Sequence, residues 1–218
     1  MSQETSRQNG LRERKKLRTR ETIARVALEL FNQRGYHATT LAEIAEAADV
    51  STRTIFAYYP SKEDILFSEF PALLDAVGAA LRERPAGKDA LGTVRDFILS
   101  MPHDAKSELD EQRHLIIESD ATLRSHMRAR MVQLQDLVAA AVAEDIGADA
   151  DDLRPHVVAA SLIAAFEVLS ERDPAKTAKP HNPEEVAAVI DPVIAFLRGG
   201  LEALASRPAP GAPAVSQE

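Results

Sequence analysis

The chain lacks cysteine and tryptophan, and aromatic residues make up only 5% of its 218 residues. It also lacks a long apolar segment. The longest uninterrupted apolar run, 137–143, is far shorter than the roughly 20 residues that a membrane-spanning helix needs. Residues 1–20 are rich in charge and contain no apolar stretch of the kind found in secretory signals. The absence of cysteine is compatible with a reducing cytoplasm. We therefore expect a cytoplasmic protein with no membrane partner.

Sequence motifs of enzymes are absent as well. The chain contains no phosphate-binding glycine-rich loop, no His-Glu-x-x-His and no Gly-x-Ser-x-Gly. Glu111 and His114 match half of a di-iron bundle site, but such a site needs a second copy that the sequence does not contain. The six histidines are scattered and do not follow metal-ligand spacing. The sequence predicts no catalytic site, no metal site and no cofactor.

Charge of one sign is concentrated at the front of the chain. Residues 1–62 contain 11 Lys and Arg against seven Asp and Glu, whereas residues 63–218 contain 15 against 27. The net charge of −8 thus combines a basic first quarter with an acidic remainder. A basic surface confined to one part of the chain favours binding to DNA phosphates there, although solvated proteins also show such asymmetry.

The most basic stretch lies at the start of the chain. We expect residues 1–13 to form a flexible basic arm and residues 12–20, with six Lys and Arg, to open the first helix. One interpretation is a solvated, charged terminus. The alternative is an arm that contacts DNA phosphates or enters the minor groove.

Residues 39–64 carry the pattern of two short helices joined by a tight turn. Thr40 and Glu43 form a Thr-x-x-Glu capping box, Ser51 caps the second helix, and Ser61 caps a third. Between the two helices stands Asp49, a residue type that tolerates left-handed backbone angles. Ile55, Phe56 and Tyr59 are expected to face inward or edge-on. The pattern predicts a helix-turn-helix whose second helix can enter a DNA major groove.

The amino-acid sequence of this segment resembles that of the DNA-binding domain of the TetR family of bacterial transcriptional regulators. The shared features are the Thr39-Thr40 start, the Ile44-Ala45 pair, the Val50-Ser51 turn, an aromatic-rich second helix and the exit Tyr59-Pro-Ser-Lys-Glu63. The family usually has glycine where Asp49 stands. The similarity extends from about Arg18 to Leu66.

The predicted DNA contacts divide into two groups. Arg53 is expected to bind bases, with Thr52 and Tyr58 beside it, because an arginine can grip guanine through two hydrogen bonds. Thr40, Ser51, Tyr59 and Lys62 are expected to contact phosphates, since their places match the family's backbone contacts and helix starts favour anions. For Thr40, Ser51 and Tyr59 capping or packing alone is the alternative. The complete predicted set is Thr39, Thr40, Ser51, Thr52, Arg53, Thr54, Tyr58, Tyr59 and Lys62.

The rest of the chain is expected to be helical, with no strand. A long helix from Lys62 to about Arg84 would lead from the DNA-binding domain into a larger helical bundle. The fold class predicted is therefore all-α: an N-terminal three-helix helix-turn-helix domain followed by a helical-bundle domain for ligand binding and dimerisation. The expected divisions are the arm at 1–13, the DNA-binding domain at 14–61, the bundle at 62–206 and a disordered tail at 207–218.

Two apolar stripes on the last two helices indicate either an intramolecular core or a dimer interface. They consist of Val158, Leu162, Ala165 and Leu169 on one helix, and of Val186, Ile190, Val193 and Leu197 on the other. A two-fold pair of helix-turn-helix units contacts half-sites about 34–36 Å apart, and the resembling family is dimeric through its last two helices. We therefore expect a homodimer on a palindromic DNA operator.

A small-molecule effector is expected in the second domain. Residues 121–125 and 139–155 are similar to a TetR subgroup whose C-terminal domain is described as binding acyl-CoA-like ligands. Phe97, Met101, Ile117, Met131 and Phe166 are candidates to line an apolar channel, with Arg124, Arg128 and Arg130 at its mouth, although such residues in a bundle are often core or solvated surface. A drug-like aromatic molecule is the competing effector class.

Taken together, these features predict a ligand-responsive regulator of transcription, most simply a repressor, and not an enzyme. An effector would shift the connecting helix and change the separation of the two DNA-reading helices, which requires unequal affinity for the two states. The alternatives are an effector-independent architectural DNA-binding protein and a helical-bundle enzyme.

Overall fold

All regular structure in the described part of the chain is helical, which confirms the predicted all-α class. The computed structural model describes residues 2–101, 108–170 and 183–205, with side chains from residue 12 onward except at 108, 110, 166–170 and 205. Within these ranges the helices are α1 (Ser2–Arg34), α2 (Leu41–Ala47), α3 (Thr52–Tyr58), α4 (Lys62–Leu66), α5 (Phe70–Arg82), α6 (Ala90–Ser100), α7 (Glu108–Ser119), α8 (Ala121–Ile146), α9 (Arg154–Ser170) and α10 (Pro183–Ala205). The predicted tail at 207–218 lies outside the described residues.

The described residues form two compact units. The first unit takes in Met1–Ala72 and Ala105–Ala129, and so joins α1–α4 to α7 and the start of α8. Its core contains four apolar residues of α1 that share one side at helical spacing: Ile23, Ala27, Leu30 and Phe31. Apolar residues from the other helices complete that core: Ile44, Ile55, Tyr59, Ile65, Leu66, Ile116, Ile117 and Leu123.

The second unit takes in Leu73–Asp104 and Arg130–Glu218. Its core is assembled from α5, α6, the C-terminal part of α8, α9 and α10. Val158, Leu162, Ile190 and Leu197 are all at least 94% buried in this core. These members of the two predicted stripes therefore pack within their own chain, as the intramolecular-core alternative predicted.

The connecting segment differs from the single helix predicted over Lys62–Arg84. The structure ends α4 at Leu66 and starts α5 at Phe70. Pro71, in the first turn of α5, explains the break. Proline has no backbone N–H to donate to the carbonyl of Phe67, and its ring clashes with a continuing helix, whereas a helix's first turn accommodates it. No single rigid helix therefore links Lys62 to Arg84.

The start of the chain also differs from the flexible arm expected over residues 1–13. Helix α1 begins at Ser2 and runs without interruption to Arg34. The segment contains no proline, and its Gln, Glu, Arg and Lys residues lose little side-chain freedom in a helix. Helix α1 stops before Gly35, whose φ of 88° is left-handed and whose N–H donates to the Phe31 carbonyl at 2.9 Å.

Candidate nucleic-acid interface

Local hydrogen bonds fix the ends of the two helices of the motif. The Thr40 side chain accepts the Glu43 N–H at 3.2 Å, and the Glu43 carboxylate accepts the Thr40 N–H at 2.8 Å, so the predicted capping box is complete. These donors at Thr40 hold the pKa of the Glu43 carboxyl below its usual value. Ser51 accepts the Thr54 N–H at 3.0 Å and so starts α3. At the turn, Asp49 has a φ of 52°, the left-handed conformation that the sequence predicted.

Helix α3 has one anchored face and one exposed face. Ile55 is fully buried, and Tyr59, which follows the helix, is 2% exposed. Thr52 and Arg53 are exposed, while Thr54 and Tyr58 are half-buried. In the described part of the chain, no hydrogen bond or ion pair engages the Arg53 guanidinium. The exposed face can therefore meet base edges, with Arg53 as its cationic hydrogen-bond donor.

Phe56 departs from the expectation that it faces inward or edge-on. Its side chain is 55% exposed, on the same side of α3 as Thr52 and Arg53. Helical spacing explains this, because Thr52, Phe56, Arg53 and Ala57 fall within a sector of about 140°, whereas Ile55 lies about 100° around the helix from Phe56. An exposed ring on a DNA-reading helix can contact thymine methyl groups. Hydrophobicity suggested burial for Phe56, and its spacing from Arg53 was the signal for exposure.

Two residues of the predicted DNA-contact set, Thr39 and Tyr59, are buried in the scaffold of the first unit. Thr39 is completely buried, and its hydroxyl donates to the carbonyls of Gly35 at 2.9 Å and Leu30 at 3.3 Å. The Tyr59 hydroxyl donates to the Arg20 carbonyl at 3.1 Å, and the Arg20 guanidinium lies 5.4 Å from the centre of the Tyr59 ring. Both hydroxyls are thus engaged within the first unit, where packing and hydrogen bonding fix the two side chains.

Lys62 is likewise engaged within the first unit. Its Nζ donates to the carbonyls of Tyr36 at 2.9 Å and Thr39 at 2.8 Å, and lies 4.7 Å from the centre of the Tyr36 ring. These contacts tie the start of α4 to the loop between α1 and α2. Burial raises the pKa of the Tyr36 hydroxyl, as do the nearby carboxylates of Glu63 and Asp64. Two of the three N–H groups of the Lys62 ammonium thus hold the motif together through the Tyr36 and Thr39 carbonyls. The third N–H remains available to a phosphate.

The same loop makes a contact that sequence analysis did not predict. The His37 imidazole Nε2 lies 2.5 Å from the carboxylate of Asp120, which also accepts the N–H groups of Thr122 and Leu123 at the start of α8. The His37 contact, followed by these backbone donors, lowers the pKa of Asp120 to about 2. No local signal marks a contact between residues 83 positions apart.

The candidate effector-binding residues are divided between the two units. Ile117 is 3% exposed in the core of the first unit. In the second unit, Phe97 packs against the core, Met131 is half-buried and Met101 is 41% exposed. The side chain of Phe166, on α9, lies outside the described residues.

The second unit contains an open groove of about 530 Å³ that none of these candidates lines. Its walls are polar and come from the end of α5, the following loop and the end of α8: Arg82, Arg84, Pro85, Ala86, Gly87, Lys88, Asp89, Glu144 and Asp145. Arg84 already pairs with Glu144 at 3.0 Å and Asp145 at 2.9 Å. The groove is therefore charged and internally paired, unlike the apolar channel that an acyl chain needs.

The described residues offer neither a metal site nor a membrane-spanning helix. These residues contain no group of three His, Asp or Glu side chains that could hold a metal ion, and Glu111 and His114 are both exposed on α7. No described helix is both long enough and apolar enough to cross a membrane.

Comparisons with known proteins match both parts of the chain. Residues 23–68 match the bacterial regulatory proteins of the tetR family, and residues 92–202 match the MftR C-terminal domain. The helix-turn-helix transcriptional regulator TcmR of Streptomyces glaucescens is 35% identical over 170 residues, which cover 74% of this chain and 75% of TcmR.

Solved structures share the fold. FadR of Thermus thermophilus, a TetR-family transcriptional repressor in complex with lauroyl-CoA, is 26% identical with a TM-score of 0.53, covering 88% of this chain and 98% of FadR. NalD, the secondary repressor of the MexAB-OprM multidrug efflux pump in Pseudomonas aeruginosa, is 20% identical with a TM-score of 0.59, covering 82% and 96% of the two chains.

Proposed function

The chain belongs to the TetR family of bacterial transcriptional regulators, and on that premise we propose that it is an effector-released repressor that binds a palindromic operator as a homodimer. As a member of this family it is a DNA-binding regulator and not an enzyme. Repression, the two-fold operator, the effector and a cytoplasmic location are the proposed parts. So are the limits of the DNA-binding domain (14–61) and of the ligand-binding and dimerisation domain (62–206).

The exposed face of α3 is the observation that supports this function most directly. Arg53 stands there beside Thr52 and Phe56, on a helix whose other face is anchored in the core. Thr40, Ser51, Thr54 and Tyr58 complete the surface, and the first two lie at helix starts, where phosphates are favoured. Base contacts by Arg53 and backbone contacts around it are the two components of specific DNA binding.

The homodimer is supported by apolar surface that the chain leaves exposed on α9 and α10. Leu153, just before α9, is 73% exposed, Val157 in its first turn is 57% exposed, and Phe196 on α10 is 77% exposed. Gly199 and Gly200 have no atom within 4 Å of the position that a Cβ would occupy. Exposed apolar faces with small residues suit close helix packing against a second copy, which would pair two α3 helices on one operator.

For the effector we propose a long-chain acyl-CoA. The similarity to FadR, whose structure contains lauroyl-CoA, supports this class. Phe97 and Met131 remain the proposed lining residues in the second unit, because partly buried, adaptable side chains can open around an acyl chain. Titration of the operator complex with lauroyl-CoA should release the protein at micromolar concentrations, whereas free CoA should not. Retention of the complex at saturating lauroyl-CoA would reject this effector class and leave DNA binding unaffected.

The DNA-binding proposal is tested by selecting duplexes from a random-sequence library with the purified protein. We expect an inverted repeat, with half-site centres one helical turn or a multiple of it apart. Arg53→Ala should keep the fold and lose about 1–3 kcal/mol of discrimination at one position of each half-site. Glu46→Ala, at an exposed position of α2, is the control. An unchanged preference in Arg53→Ala would remove Arg53 from base recognition, and a selection without an inverted repeat would contradict the dimeric operator.

A further inference from the structure

A continuous stripe along α1 changes from cationic to apolar at Ile23. At 3.6 residues per turn, positions 12, 16, 20, 23, 27 and 30 fall within a sector of about 80°. Ile23, Ala27 and Leu30 lie in the core of the first unit. The same face continues towards the N-terminus as Arg12, Lys16 and Arg20, all exposed. The face of α1 that packs into the core of the first unit thus continues, beyond that core, as a row of cations.

The contacts of Arg20 show which way this row faces. Its carbonyl accepts the Tyr59 hydroxyl and its guanidinium lies over the Tyr59 ring, so this side of α1 meets the residue that follows α3. Thr19, beside this face, is the half-buried residue among the exposed positions 12–20. Arg12 lies eight residues further along α1, about 12 Å beyond Arg20. The row therefore extends past the C-terminal end of the DNA-reading helix, on the side of α1 that faces it.

We propose that Arg12 and Lys16 form a phosphate-binding row that contacts the duplex backbone just outside the half-site bound by α3. This rests on the proposed function, since α3 must lie in the major groove for the row to meet the flanking backbone. Arg and Lys held at one-turn spacing on a helix present an array of cations without the ordering entropy of a disordered arm. The ligand is the sugar–phosphate backbone, and the contact carries no base preference.

Two cations on the opposite face provide a matched control. Arg14 and Arg18 are exposed and lie about 120–160° around the helix from Arg12 and Lys16. The double variants Arg12→Ala/Lys16→Ala and Arg14→Ala/Arg18→Ala lose the same charge from the same segment. Any effect of net charge alone, or of helix propensity, must therefore appear equally in both. Circular dichroism of each variant checks that the helix is retained.

The test measures affinity for a 40-base-pair duplex, selected by the wild-type protein, as a function of NaCl concentration. Each lost phosphate contact should reduce the slope of log K against log salt by about 0.9. We expect Arg12→Ala/Lys16→Ala to lose nearly two units of slope and on the order of tenfold in affinity at 0.15 M salt. Arg14→Ala/Arg18→Ala should stay close to wild type. On a duplex trimmed to the two half-sites, wild type and the Arg12/Lys16 variant should bind alike.

Three outcomes would contradict the proposed phosphate-binding role of Arg12 and Lys16. Equal slopes in all three proteins would make these cations solvated surface only, and equal losses in both variants would show an effect of net charge without a defined face. Persistence of the Arg12/Lys16 effect on the trimmed duplex would reject contact outside the half-site. A wild-type protein that selects no duplex would instead refute the proposed function, so the two failures can be told apart.

Discussion

Lys62 shows how a residue that matches a DNA-binding motif can be committed to the scaffold. Its ammonium donates to two backbone carbonyls and lies over the Tyr36 ring. Lys62→Ala leaves both carbonyls without this donor, so we expect a loss of about 1.5–3 kcal/mol in the free energy of unfolding. Urea denaturation measures the change. Lys15→Ala, at an exposed position of α1, should change stability by less than about 0.5 kcal/mol. A Lys62→Ala protein as stable as wild type would contradict the structural role.

Asp49 is the non-glycine residue that the described chain holds at a positive φ. Aspartate tolerates this conformation better than most residues, yet at some cost, while glycine adopts it without steric strain. Asp49→Gly should therefore raise the free energy of unfolding by about 0.5–1 kcal/mol, as seen in a higher urea midpoint. Asp49→Ala should give no such gain, because alanine keeps the Cβ. If both variants gained equally, backbone strain at Asp49 would not be the cause.

Asp120 should make stability depend on acid pH. Its pKa is lowered to about 2 by His37 and by the N–H groups of Leu123 and Thr122. Since an ordinary aspartate titrates near 3.9, the carboxylate stabilises the fold fully above about pH 4 and loses that contribution as the pH falls towards 2. The stability difference between wild type and Asp120→Asn should shrink over that range. The control variant His114→Gln, at an exposed position of α7, should leave the pH dependence of stability unchanged. A difference constant between pH 2 and 6 would exclude ionised Asp120 as the source.

Residue roles within a short stretch of sequence were predictable, and roles set by distant partners were not. Thr40, Ser51 and Asp49 act within a few residues of themselves, so spacing alone gave their caps and turn. Tyr59 and Lys62 bond to Arg20 and Tyr36, which tertiary folding brings to them. The sequence motif therefore identified residue types that suit DNA contact. Tertiary packing determines which of these side chains remain exposed to solvent.

At the scale of elements, α6 and α10 are joined by side chains that meet around a glycine. Asp89 caps α6 by accepting the Gly92 N–H at 2.8 Å and pairs with Arg198 of α10 at 2.6 Å. Arg95 of α6 also pairs with Asp191 of α10. A Cβ on Gly92 would lie 2.6 Å from the Asp89 carboxylate and 2.9 Å from the Arg198 guanidinium. The absent side chain at Gly92 is thus what allows the cap and the ion pair to coexist.

Gly92→Ala should therefore fail to give the stabilisation that alanine usually brings to a helix, about 1 kcal/mol. Displacement of the cap and of the Asp89–Arg198 pair should make the variant less stable than wild type by about 1 kcal/mol. Thermal unfolding of the two proteins checks this. In an Asp89→Ala background, Gly92→Ala should lose much less stability, because the carboxylate that the new Cβ would crowd is gone. A Gly92→Ala protein more stable than wild type would show that the neighbours move aside freely.

Helix boundaries that depend on near neighbours in the sequence were also predictable. Thr40, Ser51 and Ser61 begin helices through bonds to their near neighbours, and each boundary agrees with the prediction. The break between α4 and α5 was missed because the apolar spacing continues through it, although Pro71 was visible in the sequence. Burial of Val158 and Ile190 depends on which helices lie opposite them, which periodicity cannot specify.

For the whole molecule, the dimer can be tested through Phe196, the most exposed of the large apolar side chains described. Phe196→Glu places a charge on the proposed interface without disturbing the core. We expect light scattering to show a monomer where wild type is a dimer, and operator affinity to fall at least tenfold because a single unit grips one half-site. Leu115→Glu, on the exposed side of α7, is the control that should remain dimeric. A dimeric Phe196→Glu protein with wild-type affinity would place the interface elsewhere.

The divided surface of α3 has a consequence for how this protein could acquire a new target. Ile55 and Tyr59 fasten the helix to the core, whereas the side chains of Thr52, Arg53, Phe56 and Ala57 are exposed and lie outside the core of the described fold. Substitutions at these four positions cost little stability, so mutation can explore them without passing through unfolded intermediates. A duplicated copy of the gene could thus drift to a different promoter while its second unit stays unchanged.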